Sequence, residues 1–122
     1  TFGGLYAPLG GGSETAAGVV ATALKLGIRD FDSAPHYGLG VSESRLGYAL
    51  AQASGGHVDP PPRVWTKVGR VPTLRSHVES CSTPPVVEWS NSPGDDRCLY
   101  ADTPHDLVPV LDYTGKGAER CF

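Results

Sequence analysis

The stretch GIRDFDSAPHYGLG, residues 27–40, decides how this chain is expected to fold. Gly27 is a natural end for a helix that precedes it, and residues 28–32 favour a short strand. A helix that ends on glycine directly before a strand is typical of an αβ step in α/β proteins. Asp32 ends the predicted strand and Tyr37 lies in the loop after it, so both residues are expected at the carboxyl end of a parallel strand.

One helix is predicted before this stretch, starting at Ser13, and another after it, starting at Ser42, because a hydroxyl residue followed by Glu is typical of a helix N-terminus. Each has one apolar face with helical spacing, made of Ala16, Ala17, Val20, Ala23 and Leu24 in the first and of Leu46, Ala49, Leu50 and Ala53 in the second. Gly55 and Gly56 are predicted to end the second helix, and residues 63–69 to form a second strand. A strand, a helix and a strand with short links indicate parallel pairing and a right-handed crossover.

The remainder of the chain gives weaker signals. Residues 71–109 are rich in Pro and Ser, show little periodicity, and are predicted to form a long irregular loop, while residues 110–122 begin a new element. The length of 122 residues suits one domain but is below the roughly 200–250 residues of a complete (β/α)8 barrel. The first residue is Thr1 and not Met, so we expect a processed chain or part of a longer one.

The composition argues against several classes of function. A net charge of −3 does not favour a nucleic-acid interface, and no apolar run approaches the ~18 residues of a membrane span. We therefore expect neither nucleic acid nor a membrane as a partner. The three cysteines, Cys81, Cys98 and Cys121, are an odd number, which favours a reducing, cytoplasmic compartment over a disulfide scaffold.

Three side chains are expected to converge at the carboxyl ends of the predicted strands. Asp32 ends the first strand, Lys67 nearly ends the second, and Tyr37 lies in the loop on the same side. An ammonium group near a tyrosine favours its phenolate form, and a carboxylate beside the Lys keeps the ammonium charged and oriented. Together they would make Tyr37 a general acid or base. Taken singly, each has an ordinary explanation as a helix-capping Asp, a packing Tyr and a surface Lys.

The chain resembles the aldo-keto reductase superfamily in three separated segments: residues 27–38, 42–47 and 66–69. The phrase APHYGLG at 34–40 resembles in particular the D-threo-aldose (L-fucose, L-galactose) 1-dehydrogenase branch. The resemblance covers about residues 1–70 and returns weakly at 109–113. It implies an α/β fold that is a partial (β/α)8 TIM barrel, with roughly the first three βα units and parallel strands. Residues 1–122 would then be an incomplete NAD(P)-dependent oxidoreductase domain.

The resemblance also implies roles for particular residues. Asp32, Tyr37 and Lys67 match three members of the family's catalytic tetrad of Asp, Tyr, Lys and His. In the implied reaction, hydride passes between NAD or NADP and a sugar carbonyl or lactol carbon of an aldose or aldehyde. Tyr37 transfers the proton, Lys67 adjusts the acidity of Tyr37, and Asp32 holds Lys67. Gly4 and Leu5 match the first barrel loop, so they and Asp32 are implied to contact the cofactor. No metal is implied.

Two alternatives stay open at this point. The family's His follows a strand that we expect beyond this chain, and His36 is interpreted as a loop residue beside the site. The chain is therefore alternatively a non-catalytic truncated remnant or an interaction module. A different alternative is a small binding module whose loop is held together by a zinc ion. The possible ligands are His77, Cys81, Cys98 and His105, but their spacing matches no standard zinc pattern.

Overall fold

The structure is a computed structural model that describes residues 2–55, 58–95 and 98–121. Gly56, one of the two glycines predicted to end the second helix, lies outside the described residues. The elements in chain order are α1 (Gly12–Lys25), β1 (Asp30–Asp32), α2 (Val41–Ser54), β2 (Arg63–Trp65), β3 (Arg70–Leu74), α3 (Arg75–Ser80), a 3-10 turn (Trp89–Asn91), β4 (Leu107–Leu111) and α4 (Gly115–Arg120). Within the described ranges, no helix has both the length and the apolar character needed to cross a membrane.

The first half of the chain forms the predicted strand–helix–strand unit. β1 and β2 pair in parallel, with Phe31 opposite Val64, and α2 connects them. α1 packs against α2 across the apolar faces that the sequence predicts, where the most deeply buried side chains are Ala16, Val20, Leu46 and Ala49. Phe31 extends this core towards the sheet. The parallel pairing and the two apolar helix faces are therefore confirmed.

The end of α1 explains why β1 is shorter than predicted. Gly27 adopts a left-handed φ of 86°, and its N–H donates to the Leu24 carbonyl at 3.1 Å. The N–H of Ile28 donates to the Ala23 carbonyl at 3.0 Å, so the two bonds form a Schellman cap. Because the backbone of Ile28 completes the helix cap, the strand begins only at Asp30.

Both helices begin differently from the prediction. The N-cap residues are Gly11 and Gly40, both left-handed, and neither helix has a side-chain cap. Ser13 and Ser42 lie inside the first helical turns instead. Ser42 is buried, and its hydroxyl forms a hydrogen bond of 3.1 Å with the buried hydroxyl of Ser33. Burial of this serine pair behind β1 thus replaces the predicted capping role of Ser42.

The second half corrects two expectations. β3 and β4 pair antiparallel, so parallel pairing does not extend to this sheet. Residues 71–109 are not irregular throughout, because they contain most of β3, all of α3, the 3-10 turn and the start of β4. Pro72 and Pro109 face each other in the middle of the pair, and proline weakens any sequence signal for a strand. A small separate core of Val78, Val108 and Val110 supports the sheet.

A partly buried ion pair joins three segments that are distant in sequence. Nη1 of Arg45 on α2 lies 2.5 Å from Oδ2 of Asp102, and it also donates to the Phe2 carbonyl at 2.6 Å. The N–H of Leu9 donates to the same Asp102 oxygen at 3.1 Å. Burial alone would raise the pKa of Asp102, but the bonds from Arg45 and Leu9 outweigh it and hold that pKa below its usual range.

We predict that Asp102→Asn lowers the free energy of unfolding by about 2 kcal/mol, because it leaves the mostly buried guanidinium of Arg45 without its counter-charge. The matched control is Asp30→Asn, which breaks the exposed ion pair between Asp30 and Arg63 and should change stability little. Urea unfolding followed by circular dichroism measures both variants. Equal midpoints for the two variants would contradict the prediction.

Candidate active site

Asp32 and Lys67 meet at the carboxyl end of the parallel strand pair. Asp32 is the last residue of β1, and Lys67 follows shortly after β2. Nζ of Lys67 donates to both carboxylate oxygens of Asp32, at 2.9 and 2.8 Å, and to the Ser33 carbonyl at 2.8 Å. Both side chains are about half exposed. The structure thus brings together the two charged residues of the predicted group.

Tyr37 lies beside Lys67 in the loop between β1 and α2. The centroid of its ring is 5.0 Å from Nζ of Lys67. The N–H of Ser42 donates to the Tyr37 carbonyl at 3.1 Å, and a Cβ added to Gly3 would lie only 2.6 Å from that carbonyl oxygen. The backbone of Tyr37 is therefore held between the start of α2 and Gly3, where no side chain fits.

The contacts of Lys67 favour its charged form. The hydrogen bond with Asp32 is the largest effect and raises the pKa of Lys67 above its usual value of 10.5. Burial opposes this shift and the contact with Tyr37 adds to it. Lys67 is therefore an ammonium ion at neutral pH, and an ammonium in this position stabilises negative charge on a phenol oxygen.

A cavity of about 180 Å³ opens beside these residues. Its lining consists of Ala34, Pro35, His36, Tyr37, Lys67, Val68 and Arg70. The guanidinium of Arg70 forms an ion pair with the Glu88 carboxylate, and its Nη2 donates to Oε1 of that residue at 3.2 Å. Arg70 directly follows the segment 66–69, but sequence reasoning gave it no role.

Tyr100 is the clearest residue that sequence reasoning missed. Its ring lies 5.7 Å from the ring of Tyr37 and 5.6 Å from that of His36, centroid to centroid. It also forms an isolated antiparallel bridge with Leu5. No local pattern signals these contacts, because Tyr100 lies in the segment predicted to be irregular and reaches the site from far away in the sequence.

His36 lies beside Tyr37, as the sequence suggested, and is half-buried. Its Nδ1 is buried and has no hydrogen-bond partner among the described residues. Burial is the main cause that lowers the pKa of His36, the positive charge of Arg70 adds to this, and the negative charge of Glu88 opposes it. The imidazole is therefore neutral at neutral pH.

Gly4 and Leu5 lie next to the Tyr37 loop but are occupied by other contacts. The Gly4 carbonyl accepts a bond of 2.8 Å from the Ala101 N–H, and a Cβ on Gly4 would lie 2.7 Å from Oδ2 of Asp102. Leu5 pairs with Tyr100. Contact of Gly4 and Leu5 with a cofactor stays a prediction.

The zinc alternative gains no support from the geometry. No cluster of three or more His, Cys, Asp or Glu side chains suited to a metal ion forms in the parts of the chain that are described. Cys81, Cys98 and Cys121 are all unpaired. The thiol of Cys98 points towards the backbone carbonyls of Asn91 and Tyr100, at 3.7 and 3.8 Å.

The fold and the site define an α/β protein with a Tyr–Lys–Asp group at the carboxyl end of parallel strands. A model of the Aldo/keto reductase family matches residues 6–90, which is more than half of the chain and includes all three residues. No curated protein and no solved structure matches the chain. The chain belongs to the aldo/keto reductase family, a family of NAD(P)-dependent oxidoreductases built on the (β/α)8 barrel. Gly4, Leu5 and Tyr100 lie outside the matched residues.

We predict that Gly3→Ala displaces the Tyr37 loop, because the new methyl group would overlap the Tyr37 carbonyl. The control is Gly10→Ala, since a Cβ at Gly10 meets nothing within 4 Å. Two-dimensional amide NMR spectra should show large shifts at Tyr37 and Gly38 in the first variant and small, local shifts in the second. Unchanged Tyr37 and Gly38 signals in Gly3→Ala would refute the close approach.

The raised pKa of Lys67 predicts how stability depends on pH. The folded chain holds this proton more tightly than the unfolded chain, so the Asp32–Lys67 pair stabilises the fold below about pH 10.5. This contribution is lost as the pH rises through the higher pKa of the folded state. Urea unfolding at pH 7 to 11 should therefore show that Asp32→Asn differs most from the original chain at neutral pH and least at the alkaline end.

The control for this pH series is Asp106→Asn, at an exposed position away from β1 and β2. Its difference from the original chain should stay constant over the same pH range. A constant difference for Asp32→Asn as well would show that Lys67 does not gain stability from its partner.

Proposed function

We propose that this chain carries the proton-transfer site of an NAD(P)-dependent oxidoreductase that resembles the aldose 1-dehydrogenases. The reaction would move a hydride between the cofactor and the carbonyl or lactol carbon of a small sugar or aldehyde. The observation that carries the proposal is the Lys67 ammonium, which is bonded to Asp32 and lies 5.0 Å from the centre of the Tyr37 ring. Family membership supports the reaction class.

Each residue of the group has a separate task in this proposal. Tyr37 gives its phenol proton to the substrate oxygen during carbonyl reduction and takes a proton back in the reverse direction. Lys67 stabilises the negative charge on the phenol oxygen without touching the substrate. Asp32 keeps Lys67 charged and, with the Ser33 carbonyl, fixes the position of Nζ. These steps need no metal ion.

The residues present suit the reacting end of a nicotinamide cofactor. When bound, NAD(P)H or NAD(P)+ supplies or accepts the hydride at the substrate carbon. Asp32, whose exposed carboxylate binds Lys67, and Leu5, which pairs with Tyr100 beside Tyr37, are the residues we propose to contact the cofactor. Gly4 is a weaker candidate because Asp102 already covers it. The cavity of about 180 Å³ suits a small carbonyl compound and not a whole dinucleotide.

The charges around the cavity support a neutral substrate. Both cationic side chains of the lining are already paired, Lys67 with Asp32 and Arg70 with Glu88. Each of the two positive charges is therefore already balanced by a carboxylate. We therefore favour an uncharged aldose or aldehyde, which agrees with the resemblance of residues 34–40 to the aldose 1-dehydrogenase branch. The unpaired cysteines support a reducing compartment, which we take to be the cytoplasm.

The proposal predicts that Tyr37→Phe abolishes turnover but not cofactor binding. Loss of the phenol oxygen removes the proton donor, and general acid–base catalysis contributes roughly 10²- to 10⁴-fold to such rates. NADPH fluorescence measures binding. Turnover is measured as the loss of NADPH absorbance during reduction of glyceraldehyde, or as the appearance of NADH or NADPH absorbance during oxidation of L-galactose or L-fucose. The control is Tyr113→Phe, since Tyr113 is 71% exposed.

Two results would contradict the proposal. If the original chain binds neither NADH nor NADPH at micromolar concentrations, the alternative of a non-catalytic remnant or interaction module is favoured. If it turns over substrate and Tyr37→Phe is as active as Tyr113→Phe, Tyr37 is not the proton donor.

A further inference from the structure

Two uncharged donors belong to the cavity lining. The Lys67 ammonium is shared between the two Asp32 oxygens, the Ser33 carbonyl and Tyr37. Glu88 accepts from Nε and Nη2 of Arg70 and balances its charge. Among the uncharged side chains that line the cavity, those that can donate to a bound substrate are the Tyr37 hydroxyl and the imidazole of His36.

The environment of His36 fixes which of its nitrogens carries the proton. Nδ1 is buried and has no partner among the described residues. Buried N–H groups without an acceptor are rarer in proteins than buried acceptors without a donor, so the proton of the neutral ring belongs on Nε2. The ring of Tyr100 packs edge to face against His36, with an interplanar angle of 83°, and limits its rotation.

We propose that Nε2 of His36 donates a hydrogen bond to a substrate hydroxyl beside the reacting carbon, and that His36 thereby selects hydroxylated aldehydes over plain ones. This deepens the proposed function and rests on it. His36 and Tyr37 are neighbours in the chain and line the same cavity, so two adjacent donors meet two adjacent substrate oxygens. Tyr37 serves the reacting oxygen, and His36 serves the next one.

The titratable and charged groups around His36 are consistent with this role. Arg70 and Glu88 act on its pKa with opposite signs, and the ring of Tyr100 packs against it and against the ring of Tyr37. A neutral donor suits a hydroxyl group, whereas a charged imidazolium would suit an anion. His36 would thus add selectivity to a site in which Tyr37 performs the proton transfer.

The first test reads the tautomer without any turnover. In the full chain labelled with ¹⁵N, two-dimensional spectra of the imidazole nitrogens distinguish protonated from unprotonated nitrogen. We expect Nε2 of His36 to carry the proton at pH 7.5, and its signal to shift when glyceraldehyde is added. A proton on Nδ1 would overturn the inference whatever the enzyme does.

The second test compares glyceraldehyde with propionaldehyde, which lacks hydroxyl groups. His36→Phe should weaken glyceraldehyde binding about tenfold, as expected for one lost hydrogen bond, and leave propionaldehyde binding unchanged. His36→Gln places an amide N–H₂ near the position of Nε2 and should keep most of the preference, whereas His36→Asn places it near Nδ1 and should not. His77→Phe, at an exposed position on α3, is the control.

The outcomes separate this inference from the proposed function. If the original chain binds neither compound, both fail. If it binds both and Tyr37→Phe loses turnover while His36→Phe keeps the full preference for glyceraldehyde, only the role of His36 fails. Amide spectra of each variant test whether it is folded. If His36→Phe unfolds, the comparison of His36→Gln with His36→Asn replaces it. Equal preferences of those two variants for glyceraldehyde over propionaldehyde would overturn the inference.

Discussion

The bonds of Asp102 are the constraint on which the arrangement of the site depends. Its carboxylate accepts from Arg45 on α2 and from the backbone of Leu9, and so joins the first residues of the chain to the middle of α2. The backbone next to Asp102 pairs with Gly4, which places Gly3 against the Tyr37 carbonyl and Tyr100 against the Tyr37 ring. A single, partly buried carboxylate thus holds together the backbone that surrounds Tyr37.

The Asp32–Lys67 pair has a different purpose from the Asp102–Arg45 pair. Both of its side chains are about half exposed, and ion pairs in contact with water add little to stability. Its importance lies in position, because it fixes an ammonium group at the face of Tyr37. In the function that we propose, Lys67 acts through its charge on Tyr37.

The sequence predicted the parts of the fold that depend on local pattern. The apolar helix faces, the Gly27 helix end and the convergence of Asp32, Tyr37 and Lys67 follow from spacing within residues 12–67, and the structure agrees. Ser42 was expected to cap α2, but the Gly40 backbone begins the helix and the hydroxyl is buried against Ser33 instead. That choice depends on packing behind β1, which spacing along the chain does not reveal.

The parts that were not predictable are those in which distant residues meet. The antiparallel pair of β3 and β4, the small core around Val108 and the contact of Tyr100 with Tyr37 all link residues across long loops, and closing such loops has an entropic cost. The cavity lining spans both halves of the fold. Arg70, at the start of β3, is placed by the pairing with β4 and by Glu88, whereas the Asp32–Lys67 pair belongs to the first half alone.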